Sequence, residues 1–185
     1  MPFTPFHFGP ALALGIPLRK YMHAPTFILA NVAVDIEPLL VLLLRLDYPL
    51  HGYLHTFLVA LFFGLAIGFV MFYVEKFFHP LYSTLLLEPS GIPPMKTFMV
   101  AGVFGGMLHV LLDSPLYTEM QPFFPISTNP LYHSVSSLEI YLASFWLGVL
   151  GIILYASLIL FHAYRKLRKK RPKPQPNSAS STPLR

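Results

Sequence analysis

The chain has 185 residues, of which 55% are hydrophobic and only 11% are charged. These polar groups are too few to cover a water-facing surface, so the composition excludes an ordinary soluble domain and favours the lipid bilayer as the surroundings. There is no cysteine, which excludes disulfides, thiolate metal sites and cysteine nucleophiles. Any bound metal must therefore be held by nitrogen and oxygen ligands.

The net charge of +5 is concentrated at one end of the chain. Eight of the thirteen basic residues lie from Arg165 onward, and none of the eight acidic residues does. Residues 1–164 thus carry five basic and eight acidic groups, a net charge of −3. This division predicts a single membrane-embedded domain over residues 1–164 and a basic, disordered tail over residues 165–185.

Long apolar stretches recur along the chain, separated by short breaks that contain proline or charge. A helix rises about 1.5 Å per residue, so about 20 residues cross a hydrocarbon core of about 30 Å. An N-terminal segment, 5–18, is too short to span alone. The predicted fold is an all-α integral membrane bundle of this short helix and four transmembrane helices: 25–46, 53–75, 97–117 and 138–163. If the short helix also crossed the membrane, it would be a fifth span.

The basic residues orient this bundle. If the tail is cytoplasmic, alternating spans put every basic residue except Arg45 on the cytoplasmic side, as the positive-inside rule requires. We expect a multi-pass protein of the cytoplasmic (inner) membrane, with connections 46–52 and 118–137 facing outward. Membrane lipids are its expected partners and nucleic acid is not. Residues 165–173 either contact anionic lipids or act only as a topology anchor.

Ionisable side chains inside spans are costly, which makes each one a candidate functional residue. Two motifs, HGYLH and HVLLD, have i,i+4 spacing, which brings two side chains to one helical face about 5–6 Å apart. This separation suits two ligands of one metal ion. The orientation puts most of the candidates in the outer half of the membrane, where one recessed site could collect them. The candidate ligands are His7, Asp35, His51, His55, His109 and Asp113.

Asp35 and Glu37 would point to nearly opposite sides of a regular helix. Pro38 removes a helical hydrogen bond and disfavours helical geometry at Glu37, so a kink could turn both carboxylates inward. Glu37 could then act as a general base, as an additional ligand, or as a residue that supports a ligand.

Other ionisable residues have simpler interpretations. His23, His79 and His162 are expected to lie at the membrane interface, and His133 in the outer loop has no assigned role. Solvation would explain the remaining carboxylates near span ends, Glu75, Glu88, Glu119 and Glu139. The candidate ligands themselves could instead form a hydrogen-bonded polar seam without metal.

At these motifs the chain resembles a family of membrane-bound, metal-dependent hydrolases that includes LexA-regulated inner-membrane proteins. The resemblance covers residues 7 to 113: an early histidine at His7, VDIEP with Asp35 and Glu37, HGYLHT with His51 and His55, and LHVLLD with His109 and Asp113. The chain departs from the family at Gly52, where many members have arginine.

The resemblance implies a metal-dependent hydrolase. The site would hold one to three divalent ions, with Zn²⁺ suited to imidazole and carboxylate ligands and Mn²⁺ or Fe²⁺ as alternatives. A recessed site near the outer face predicts a lipid or amphiphilic (phospho)ester as substrate, with Glu37 as the candidate catalytic base. The alternatives are a non-enzymatic membrane protein that binds or transports metal ions, and a scaffold with a structural metal.

Overall fold

The computed structural model describes residues 5–87, 91–133 and 137–170, and within these ranges the chain is helical and contains no strand. The helices are α1 (Pro5–Leu18), α2 (Ala24–Ala33), α3 (Ile36–Leu44), α4 (Phe57–Thr84), α5 (Met95–Asp113) and α6 (Ser137–Lys170). Four segments are long and apolar enough to cross a membrane, because α2 and α3 together count as one, and α1 is a shorter apolar helix. The predicted fold class is confirmed.

Several helix boundaries differ from the prediction, and two of them concern the segment before α4 and the tail. The span predicted to start at residue 53 begins only at Phe57, because the Thr56 hydroxyl caps α4 by accepting a hydrogen bond from the backbone N–H of Val59. At the other end of the chain, α6 continues to Lys170, so the first residues of the predicted tail are helical. Residues 171–185 and Glu88 lie outside the described ranges.

The break between α2 and α3 follows from Pro38. Proline has no backbone N–H, so it cannot donate the helical hydrogen bond to the carbonyl of Val34, four residues earlier. α2 ends at Ala33 and α3 starts at Ile36, which leaves Val34 and Asp35 between the helices. Asp35 lies at this break with 3% of its surface exposed. The predicted kink is therefore present and turns Asp35 into the bundle.

Glycines set the closest helix contacts. A Cβ atom on Gly64 of α4 would overlap the carbonyl group of Gly102 on α5, so these backbones approach as only glycine permits. On the other side of α5, the side-chain amide of Asn31 in α2 donates a 3.2 Å hydrogen bond to the carbonyl of Gly105. α5 thus packs between α2 and α4, while α6 packs mainly along α1.

The two ends of this bundle carry different polar groups. The site end is where α1 and α4 begin and α5 ends, and the opposite end is where α2 begins. At the opposite end, Nε2 of His23 lies 3.1 Å from Oε2 of Glu75, and Oε1 of Glu75 lies 3.2 Å from Nδ1 of His79. The predicted solvation of Glu75 is wrong, since 0% of its surface is exposed, and His23 is buried against it with 1% of its surface exposed.

Candidate metal centre

All six predicted ligands are buried at the site end, and none has more than 6% of its surface exposed. They come from separate parts of the chain. His7 lies in the first turn of α1, and Asp35 lies at the break before α3. His51 and His55 belong to the segment before α4, and His109 and Asp113 to the last turns of α5.

One group of four residues brings its ligand atoms within 4.8 Å of one another: His7, Asp35, His109 and Asp113. Nε2 of His7 lies 2.8 Å from Oδ1 of Asp113, and Nε2 of His109 lies 3.6 Å from Oδ1 of Asp35. The His7 and His109 rings are also close, with centroids 4.1 Å apart. Two imidazoles and two carboxylates therefore face a common point.

A second group meets the same criterion and shares Asp113 with the first: His51, His55 and Asp113. Nε2 of His55 lies 3.9 Å from Oδ2 of Asp113 and 3.3 Å from Nε2 of His109. The two oxygens of Asp113 thus face different sides, with Oδ1 toward His7 and Oδ2 toward His55 and His109. Asp113 is the residue that connects the two groups.

The HGYLH motif reaches this point by a different route from the one its spacing predicts. We expected His51 and His55 on one face of a helix, but residues Tyr53–His55 form a single 3₁₀ turn that precedes α4. Their rings nevertheless approach to 4.9 Å between centroids. The helical interpretation holds for the other motif, where Nε2 of His109 lies 3.4 Å from Oδ2 of Asp113 in α5.

Glu37 contacts the back of His55, on the side away from the ligand groups. Its Oε2 accepts a 2.8 Å hydrogen bond from Nδ1 of His55 and one from the backbone N–H of Gly52, while Oε1 accepts from Tyr48 and from the N–H of Leu54. A carboxylate can only accept, so Nδ1 carries the proton and Nε2 is left with its lone pair toward Asp113. This is how a carboxylate orients a metal-binding histidine.

Glu119 supports His51 in the same way, and the sequence did not predict it. Its Oε1 accepts a 2.9 Å hydrogen bond from Nδ1 of His51, whose ring also stacks on Tyr117 at 3.8 Å. Although burial opposes the charge, hydrogen bonds from the backbone and from His51 lower the pKa of Glu119, so it is ionised at neutral pH. Glu119 and Tyr117 lie in the proline-rich segment after α5, and neither has a sequence spacing that would indicate a contact with His51.

Several buried polar atoms of the site could serve as ligands of a metal ion. Nδ1 of His7, Nδ1 of His109 and Oδ1 of Asp113 are buried and make no hydrogen bond. Buried polar groups usually have such partners, and unpaired ones are costly. In particular, Oδ1 of Asp113 approaches His7 to 2.8 Å without a hydrogen bond, as two ligands of one ion would. The donor set of imidazole and carboxylate suits Zn²⁺ and related ions.

The other histidines do not join these groups. His133 and His162 are exposed, and His23 and His79 belong to the opposite end. Comparisons with models of protein families, with curated proteins and with solved structures found no match.

Proposed function

We propose that this chain is an integral membrane, metal-dependent hydrolase that acts on a lipid or amphiphilic (phospho)ester, and that it belongs to the family its motifs resemble. The single observation that supports the proposal most strongly is the convergence of six buried imidazole and carboxylate groups, in two sets that share Asp113. In the proposed orientation the tail is cytoplasmic and the site lies toward the outer face of the membrane.

The residues divide into two roles. The six ligands would hold one or more divalent ions, which when bound supply Lewis acidity to an ester oxygen and to a water molecule. Glu37 and Glu119 would fix the tautomers of His55 and His51, so that each Nε2 stays unprotonated and directed inward. Glu37 already accepts four hydrogen bonds, and for this reason we assign it orientation of His55 ahead of the general-base role.

The first test is metal analysis of protein purified in detergent. Wild type should retain a divalent metal, whereas His55→Ala and Asp113→Ala should lose most of it. Glu139→Ala is the matched control, because it removes an exposed carboxylate of α6 that has no contact with either ligand group. Equal, substoichiometric metal in all four proteins would refute the metal site.

The second test addresses the reaction. Phosphoester and carboxylic ester lipids should be hydrolysed by the metal-loaded protein, should resist hydrolysis after chelation, and should be hydrolysed again once Zn²⁺ or Mn²⁺ is restored. Hydrolysis that survives chelation and the Asp113→Ala substitution would come from a contaminant. Tight metal binding with no turnover across the panel would favour the non-enzymatic alternative.

One observation favours transport as the second candidate. Buried polar groups occur away from the ligand groups as well, since Glu75 is buried at the opposite end and Asn31 is buried in α2, between His23 and Asp35. An ion path needs polar groups along its length. Metal flux into vesicles that is lost in Glu75→Gln would support transport, whereas a vesicle impermeable to metal would support a one-sided site.

A further inference from the structure

A small cavity adjoins His51 at the site end. Its volume is about 160 Å³, which is well below the roughly 300–1,000 Å³ typical of sites for drug-sized ligands. It therefore suits a small head group and not a whole amphiphile. Its lining comes from the segment before α4 and from the segment after α5: Tyr48, Pro49, His51, Gly52, Tyr53, Thr56, Glu119 and Gln121.

Two tyrosines, Tyr48 and Tyr53, line this cavity, and hydrogen bonds fix the Tyr48 side chain. The hydroxyl of Tyr48 donates to Oε1 of Glu37 and accepts a 2.9 Å hydrogen bond from the backbone N–H of Tyr53. Any Cβ atom on Gly52 would overlap the ring of Tyr48. The absence of a side chain at position 52 therefore makes room for Tyr48.

The charged and aromatic lining residues favour a cationic ligand. Glu119 is the acidic residue of the lining, and its side chain is 47% exposed. The lining residues, all of which belong to the described part of the chain, include neither Lys nor Arg. An anionic group would therefore find no Lys or Arg partner in the lining, whereas an ammonium group would meet a carboxylate and tyrosine rings.

We propose that this cavity binds the small cationic ammonium head group of an amphiphile. With the ammonium between Glu119 and Tyr53, the ester that joins head group and tail would lie beside His51. Aromatic rings and a carboxylate are the usual recognition elements for quaternary ammonium groups. The assignment of such an amphiphile as substrate rests on the proposed function, but binding of the head group does not.

The test compares choline with its uncharged carbon isostere, 3,3-dimethyl-1-butanol. Both are titrated by calorimetry into the full-length protein in maltoside micelles, which carry no ammonium group of their own. Choline should bind about tenfold more tightly than the isostere, because only choline carries the charge that Glu119 and the tyrosines recognise.

Two variants locate the binding in the cavity. Gln121→Lys puts a positive charge in the lining and should weaken choline binding about tenfold or more, whereas Thr128→Lys adds the same charge to the same exposed segment away from the lining. Tyr53→Leu removes an aromatic wall without touching His51 and should weaken binding more than Tyr53→Phe does.

Two results would overturn the inference: equal binding of choline and the isostere, or equal effects of Gln121→Lys and Thr128→Lys. Its failure is distinguishable from that of the hydrolase proposal. Hydrolysis that ignores the charge of the head group would refute only the cavity assignment, and choline binding without metal or turnover would refute only the hydrolase.

Discussion

The two ends of the bundle bury the same kinds of residue in different arrangements. At the opposite end, the two oxygens of Glu75 engage one histidine each, His23 on one side and His79 on the other. At the site end, both oxygens of Asp113 face histidines of several segments, and the atoms approach within 4.8 Å as a group. Paired groups of this kind can stabilise a bundle without a ligand, whereas converging groups can hold a metal ion between them.

The difference shows which observation discriminates a metal site from a polar seam. Burial does not, since Glu75 is as buried as His109, with 0% of the surface of each exposed. Convergence does, because His7, Asp35, His109 and Asp113 bring one ligand atom each within 4.8 Å of one another, and among the described residues His23, Glu75 and His79 form no such group.

The largest effect is expected for Asp113→Ala. It removes a ligand from both groups at once, so metal affinity should fall by more than the 10–100-fold that loss of a supporting residue costs. Competition with a chromophoric chelator measures this change. Glu75→Ala, the equivalent substitution at the opposite end, should leave the affinity unchanged, and equal losses in both variants would erase the distinction between the two ends.

Glu75→Ala should instead destabilise the protein. Removing Glu75 leaves polar atoms of His23 and His79 without their carboxylate partner, and the loss of one partner of a buried polar contact typically costs about 1–3 kcal/mol. Thermal unfolding in detergent should show a marked loss for this variant, while the metal-to-protein ratio of the fraction that remains folded stays at the wild-type value. A variant as stable as wild type would mean that the pair at the opposite end is not structural.

Glu37→Gln should weaken metal binding by about 10–100-fold, since it removes the carboxylate that holds the proton of His55 on Nδ1. Glu119→Gln should have a smaller effect, because Glu119 is about half-exposed and Tyr117 also holds the His51 ring. Chelator competition ranks the two variants. If Glu37→Gln instead keeps its metal and loses turnover, Glu37 is the general base.

The smallest effect is expected for Tyr117→Leu. Loss of the stacking contact with His51 should weaken metal binding only severalfold, since such aromatic contacts contribute about 0.5–1.5 kcal/mol. Tyr117→Phe keeps the ring and should lie closer to wild type. A loss as large as that of Asp113→Ala would indicate that Tyr117 does more than hold the ring.

The sequence predicted the helical membrane fold because length and apolar composition decide it. It also named the six residues that the structure brings together, since ionisable side chains within apolar segments are conspicuous. Pro38 predicted the break that turns Asp35 inward. In contrast, HGYLH carries the spacing of a helix and forms a 3₁₀ turn, because the capping residue Thr56 starts α4 only after it.

Partners distant in sequence were not predictable. Glu119 and His51 are 68 residues apart, and nothing local to either one signals their hydrogen bond. Glu75 was predicted to be solvated because it lies near the end of the predicted apolar span. The sequence of one span does not reveal which other helix covers a residue at its end. His23, at the first turn of α2, provides that cover through a tertiary contact.

X-ray absorption spectroscopy on the purified, metal-reconstituted protein tests the central claim most directly. We predict at least one tightly held divalent ion per chain, with nitrogen and oxygen neighbours at about 2.0–2.2 Å and the multiple scattering of imidazole. The spectrum should be lost in Asp113→Ala and retained in Glu75→Gln. Metal without imidazole neighbours, or no metal above trace level after incubation with Zn²⁺, Mn²⁺ and Fe²⁺, would contradict this claim.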